Sequence, residues 1–148
     1  AGAGEAGASI ANLLASAVAR ETGATLVEAR RRIWLHDSQG LVVRSRGDAL
    51  AAHKLPYAHA HAECPSLLAS VEALNPSFLI GSSTLEQPRA GTFTQDILEH
   101  MAKQHTHPVV FALSAPDPEC SADQAYRWTD GRCIFASGGR SGQPPVEH

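Results

Sequence analysis

Three short runs, "SFLIG", "HPVVFALS" and "RCIFASG", are apolar without the in-and-out alternation of a strand that faces water on one side. Strands of that kind are buried on both faces, as inside a parallel sheet covered by helices. The stretches between them, Thr94 to Gln104 and Ser121 to Trp128, have helical character. Successive parallel strands need crossovers of that sort, so the alternation restricts the chain to an α/β architecture.

The start of the chain narrows this further. In "AGAGEAG", Gly2, Gly4 and Gly7 satisfy G-x-G-x-x-G. Directly behind them Ala6, Ile10, Leu13, Leu14, Ala17 and Val18 recur at helical spacing from Glu5 to Glu21. Such a turn lays a dinucleotide pyrophosphate on a helix N-terminus. Gly2 permits the tight turn, Gly4 lets the backbone approach the phosphates, and Gly7 allows close helix–sheet packing. "ETGAT", with Gly23, stops the helix, Leu26 to Arg32 predicts a second one, and Ile33 to His36 a strand that ends in Asp37. A carboxylate at that place meets the adenosine ribose, although an Asp there also serves as a helix or turn cap. It stands 30 residues beyond Gly7, later than the usual ~20, and the extra helix over residues 26–32 accounts for the delay. A glycine turn of this type follows a buried strand, so the first strand is expected before Ala1. The predicted fold is a Rossmann-type, doubly wound, mostly parallel sheet with helices on both faces, its first strand missing from the chain.

Residues 41–65 are polar, rich in His and broken by two prolines, and predict an irregular excursion over the surface. Ser66 to Leu74 is helical and Asn75-Pro76 ends it, "TLEQPRAG" (residues 84–91) is a loop, and "GRSGQPPVEH" reads as an unstructured tail. The expected organisation is one domain over residues 1–138 followed by an irregular tail, 139–148.

With 43% hydrophobic residues among 148, a folded core is expected. A net charge of −3 with no basic block argues against a nucleic-acid partner. No apolar run reaches membrane-spanning length, so no membrane partner is expected either. Cys64, Cys120 and Cys133 are odd in number and widely spaced, which points to reduced, packed thiols in an intracellular soluble protein rather than a disulfide framework. His59-x-His61 and His105-x-His107 have ligand-like spacing but lack a convincing Asp, Glu or Cys partner. They read as surface or capping histidines, and no metal is expected in this segment.

The stretches "GAGEAG", "IWLHDSQGLVV", "AHAH", "TFTQDILEHMA", "PVVFALS" and "ECSADQAYRWTDGRCIFASG" occur in an order and spacing that resemble the NAD(P)-binding domain of malic enzymes over nearly the whole chain. "KLPYAHAH" looks most like the plant-type branch. Another Rossmann-type hydroxyacid dehydrogenase would fit the glycine turn but not "ECSADQAYRWTDGRCIFASG". The resemblance implies oxidative decarboxylation of malate to pyruvate and CO2. The implied cofactors are NADP or NAD and a divalent Mg2+ or Mn2+ held mainly by an N-terminal part. It places the catalytic Tyr and Lys and the metal carboxylates upstream of residue 1, so that the fragment alone is expected to be inactive. It further implies a homo-oligomer when full length, in plastid or cytoplasm.

By the same resemblance the cofactor-binding positions are Gly2, Gly4, Glu5, Ala6, Gly7, Asp37, Ser38, Lys54, Ser82, Ser83 and Ser114. Ser38 and Lys54 match positions that contact the 2′-phosphate in NADP-using relatives, whereas Gln39 stands where many of them have lysine. Ser82 and Ser83 follow "FLIG" at the carboxyl end of a strand, where sheets of this type bind ligands. Three departures are visible: a longer loop after Ser83, Ala115 in place of the family's Asn beside the nicotinamide, and "GRSGQPPVEH" in place of the Ser-Pro-Phe continuation. Ala115 supplies no hydrogen bond, which leaves open a non-catalytic dinucleotide-binding or interaction module derived from a malic enzyme.

Overall fold

The computed structural model describes residues 1–83 and 91–138. The chain divides into two compact units, Ala1–Ser70 and Val71–His148.

In the first unit the helix α1 (Glu5–Thr22) starts at once behind the glycine turn, with Gly4 as its extended N-cap, and ends where Gly23 turns left-handed at φ 70°. Its buried positions are all alanine (Ala8, Ala11 and Ala15), which lets neighbouring backbone come close. α2 (Leu26–Arg30) packs against α1 and is shorter than expected. Its start is fixed by a capping box, in which the Thr25 hydroxyl accepts the Glu28 N–H and the Glu28 carboxylate accepts the Thr25 N–H.

The strand expected over Ile33 to His36 is realised only at its end. β1 (His36–Asp37) pairs antiparallel with β2 (Gly40–Leu41), a hairpin the sequence reading did not contain. The cause is the supply of partners. The Val42 N–H donates to the Leu35 carbonyl at 2.8 Å, and no described strand runs alongside Ile33 and Trp34 to extend the ladder.

Residues 41–65 are irregular and largely at the surface, as expected, but they also send Leu41, Val42, Val43, Leu50, Tyr57 and Cys64 inward. Two 3-10 segments, Arg44–Ala49 and Ala52–Tyr57, and a bridge between Val43 and His59 fold them inward. Val42, Leu50 and Tyr57 join Ala3, Ala11 and Leu35 in the core of this unit. Val42 precedes the first 3-10 segment and Leu50 follows it, whereas Tyr57 ends the second, where about three residues per turn bring one apolar residue inward with no period of 2 or 3.6 to reveal it. Tyr57 is fully buried, and its hydroxyl donates to Asn12 Oδ1 at 2.6 Å.

The boundary between the units falls within α3 (Leu67–Leu74). The second unit is a β-α-β-α-β arrangement. Its strands β3 (Phe78–Gly81), β4 (Val109–Ala112) and β5 (Ile134–Ser137) form a parallel sheet in that order, with α4 (Gln95–Gln104) and α5 (Ala122–Trp128) as crossovers. Cross-strand register aligns Leu79, Val110 and Phe135, and the first two of these are buried. On the opposite face the aligned row Phe78, Val109 and Ile134 leaves Phe78 and Ile134 half exposed, so the second face is covered less completely than the apolar runs predict. α4 buries Ile97, Leu98, Met101 and Ala102, and α5 begins at a second capping box, Ser121 with Gln124. The expected loop, apart from Gly91, and the tail lie outside the described residues.

Candidate functional site

In the first unit the glycine turn has the geometry its motif calls for. Gly2 sits at φ 87°. A Cβ on Gly7 would collide with the Gly2 carbonyl oxygen, whereas one on Gly4 would meet nothing within 4 Å. Glu5 and Ala6 are exposed in the first turn of α1, and no side chain caps that helix end.

The turn is bonded to the two segments that carry the expected acid and lysine. The Gly2 N–H donates to the His36 carbonyl at 2.9 Å, next to Asp37. His53 Nε2 donates to the Ala3 carbonyl at 3.2 Å, next to Lys54. The structure thus gathers Gly2, Asp37 and Lys54 in one unit, and Ser38 lies exposed in the turn of the β1–β2 hairpin.

Asp37 is the hub of this site. Its carboxylate accepts both terminal nitrogens of Arg46 at 3.0 Å, Lys54 Nζ at 2.6 Å and the Gln39 N–H at 2.9 Å. Burial pushes the carboxyl up, but the bonds from Arg46, Lys54 and the Gln39 amide outweigh it and hold the group at about 2. The side chains of Asp37 and Arg46 are each 10% exposed, which makes this a partly desolvated pair rather than a surface ion pair. Arg46 also donates to the Gly40 and Leu41 carbonyls and to Gln39 Oε1, binding the hairpin turn together. Gln39 therefore does something a lysine could not: its amide oxygen accepts from the guanidinium. Sequence reading missed Arg46, because nothing distinguishes it from Arg44 until the 3-10 turn aims one of them at Asp37.

In the second unit Ser82, Ser83 and Ser114 lie just beyond the carboxyl ends of β3 and β4. The Ser83 N–H donates to Ser114 Oγ at 3.0 Å, and Ser114 Oγ donates in turn to Glu119 Oε1. Glu119 is 1% exposed. Its other carboxylate oxygen faces the Ser114 N–H at 3.4 Å, and its backbone carbonyl accepts the Gly91 and Phe93 N–H groups. A Cβ on Gly81 would run into the Glu119 carboxyl group, so the close approach needs glycine there. Glu119 is the second residue that sequence reading did not single out; its only signal was a place inside "ECSADQAY". Ala115, the residue after Ser114, is exposed.

Elsewhere the histidines of the two H-x-H pairs bond to backbone. The His59, His61, His105 and His107 rings pair with the carbonyls of Ile33, Ala62, Asn75 and Arg132. Among the described residues no three His, Cys, Asp or Glu side chains converge on a metal position. The three cysteines are free and buried. Burial, with the Glu119 carboxylate and Cys133 nearby, pushes the Cys120 thiol up to about 12. Among the described residues no helix is long and apolar enough to cross a membrane.

Comparison with known proteins bears on both halves of this geometry. The model of the malic enzyme NAD-binding domain matches residues 1–148. The chain is 48% identical over 93% of its length to NADP-dependent malic enzyme 2 of Arabidopsis thaliana, of which it covers 23%. It is 48% identical over 99% of its length to the chloroplastic NADP-dependent malic enzyme of Flaveria pringlei and 44% identical to that of Oryza sativa subsp. japonica, covering 22% of each. The chain thus spans less than a quarter of the length of these curated relatives, and its β-α-β-α-β unit is Rossmann-like. With a matching family model over its entire length, the chain belongs to the malic enzyme family, as its NAD-binding domain.

Proposed function

We propose that this chain is the cofactor domain of an enzyme that oxidatively decarboxylates malate to pyruvate and CO2 and prefers NADP to NAD. The observation that carries the reading is the placement of Lys54 and Arg46 on Asp37, beside a glycine turn that leaves the amides of α1 uncapped. In this reading the turn Gly2, Gly4, Glu5, Ala6 and Gly7 takes the pyrophosphate, and Asp37 meets the adenosine ribose. Lys54, with Ser38, meets the 2′-phosphate. A bound phosphate would draw the Lys54 ammonium from Asp37 without leaving the carboxylate unpaired, because Arg46 remains on it. Ser82, Ser83 and Ser114 serve the nicotinamide half, and residues 1–138 form part of a domain whose sheet is doubly wound.

The dinucleotide, when bound, accepts the hydride from C2 of malate. This chain's own residues bind and orient it. Catalytic Tyr and Lys and the Mg2+ or Mn2+ carboxylates are placed on segments outside this chain, so the segment alone is inactive. The full-length protein is proposed to be a soluble homo-oligomer, and the chloroplastic names of relatives favour a plastid location.

The test is steady-state malate oxidation by the full-length protein with NADP and with NAD, read as reduced cofactor and released CO2. The reading predicts a higher kcat/KM with NADP. Dinucleotide binding without malate oxidation would instead support a non-catalytic module. Exposed Ala115, directly after Ser114, is the specific observation on that side.

A further inference from the structure

We propose that Glu119 is a positioning residue that fixes the Ser114 hydroxyl as a hydrogen-bond acceptor for the carboxamide amino group of the nicotinamide, an inference that rests on the cofactor reading above. A serine hydroxyl has one proton to give and two lone pairs. At Ser114 the proton is committed to Glu119 Oε1, and the Ser83 N–H occupies one lone pair. Among the described residues one lone pair remains. The hydroxyl is therefore set to accept and not to donate.

Glu119 cannot easily relinquish that role. Its carboxylate is buried, faces the Ser114 backbone N–H with its second oxygen, and lies against Gly81, while its own carbonyl is tied to Gly91 and Phe93. The network joins the segments just past the carboxyl ends of two adjacent parallel strands, where dinucleotide sheets bind their ligand. In the cofactor reading above, Ser82, Ser83 and Ser114 serve the nicotinamide half of the dinucleotide. Of the groups on a nicotinamide ring, only the carboxamide NH2 carries N–H donors. A site whose hydroxyl can only accept selects that group and disfavours a ligand that offers an acceptor in its place.

The experiment compares Kd values of the full-length protein for NADP and for its 3-acetylpyridine analogue. The analogue keeps the carbonyl and replaces NH2 by a methyl group. The unmodified protein should bind NADP about five- to tenfold more tightly, the effect of one neutral hydrogen bond. Ser114→Ala should bring that ratio close to one. Glu119→Met, which fills similar volume but accepts nothing, should do the same by freeing the hydroxyl proton. Glu119→Gln, which retains one carbonyl oxygen for the hydroxyl, should hold the ratio within about threefold of the unmodified protein.

A merely structural role for Glu119 would weaken both dinucleotides together and leave the ratio unmoved, and that result overturns the proposal. So does a ratio kept in Ser114→Ala, which removes only the hydroxyl and decides the matter alone if Glu119→Met does not fold. Failure of the unmodified protein to bind either dinucleotide overturns the cofactor reading and this inference together. Tight NADP binding with an invariant ratio overturns this inference alone.

Discussion

The Lys54 ammonium lies 2.6 Å from a carboxylate oxygen of Asp37, a residue 17 positions earlier in the chain. The Arg46 guanidinium grips the same carboxylate with two nitrogens. One acid thus carries two cations of different character: a forked, planar one built into the hairpin turn, and a flexible point charge only 18% exposed that can turn to another anion.

Lys54→Ala should therefore separate the two cofactors. NADP affinity should fall about 10- to 100-fold, the loss of a charge-assisted contact to the 2′-phosphate, while NAD affinity changes less than about threefold. Cofactor titration of both forms checks this, and equal losses for NADP and NAD would show that Lys54 does not read the 2′-phosphate.

Asp37 gives a pH dependence of known sign. Its folded-state value of about 2 lies below the ordinary 3.8, so the ionised group stabilises the fold. That contribution is complete above the ordinary value and is lost as pH falls from about 4 to about 2. Asp37→Asn should lower the melting temperature at neutral pH and flatten its fall across that acidic window, measured by circular dichroism.

Two glycines should divide stability from binding. Gly81→Ala drives a methyl group into the Glu119 carboxyl and should cost about 2–4 kcal/mol of folding stability. Gly4→Ala meets no neighbouring atom and adopts a backbone open to any residue (φ −75°), so it should leave the melting temperature nearly unchanged. It should weaken dinucleotide binding, because the methyl group occupies the approach to the phosphates.

The thiols should be silent in the folded protein. Cys64, Cys120 and Cys133 are all buried, and Cys120 is held protonated far above neutral pH. A thiol-specific reagent at pH 8 should modify none of them until denaturant is added. Rapid labelling of Cys120 in the native state would contradict the packing described around Glu119.

Ala115→Asn tests whether the exposed position after Ser114 limits the chemistry. A well-placed donor and acceptor beside the nicotinamide should raise kcat and kcat/KM together by ~10- to 1000-fold, with cofactor affinity little changed. Steady-state malate oxidation alongside cofactor titration reads both. Inactivity of both forms with cofactor still bound would favour the non-catalytic module.

What the sequence made legible was whatever a repeating pattern or a local cap writes down. α1, α4, α5 and the three parallel strands lie within a residue or two of their expected bounds, because apolar period, Gly23 and Pro76 mark them. The motif glycines were legible from their spacing and the separate roles expected of Asp37 and Lys54 from the resemblance, but the ion pair that joins those two side chains was not. Residues 41–65 were not, since a short 3-10 segment buries the isolated Tyr57 without a periodic trace. Arg46 and Glu119 escaped for a related reason. Their importance lies in partners 9 and 5 residues away through turns that no local rule specifies.

The hydrogen bond from Tyr57 to Asn12 spans 45 residues, and it sets an order of events on the ribosome. α1 is synthesised first, yet Tyr57, which covers it, arrives only about 2 to 9 seconds later at ordinary elongation rates of ~5–20 residues per second. Until then only α2 can cover α1, and the part of the helix around Asn12 that Tyr57 closes stays open. Synonymous codon changes that slow translation between residues 12 and 57 would lengthen that exposure without altering a single side chain.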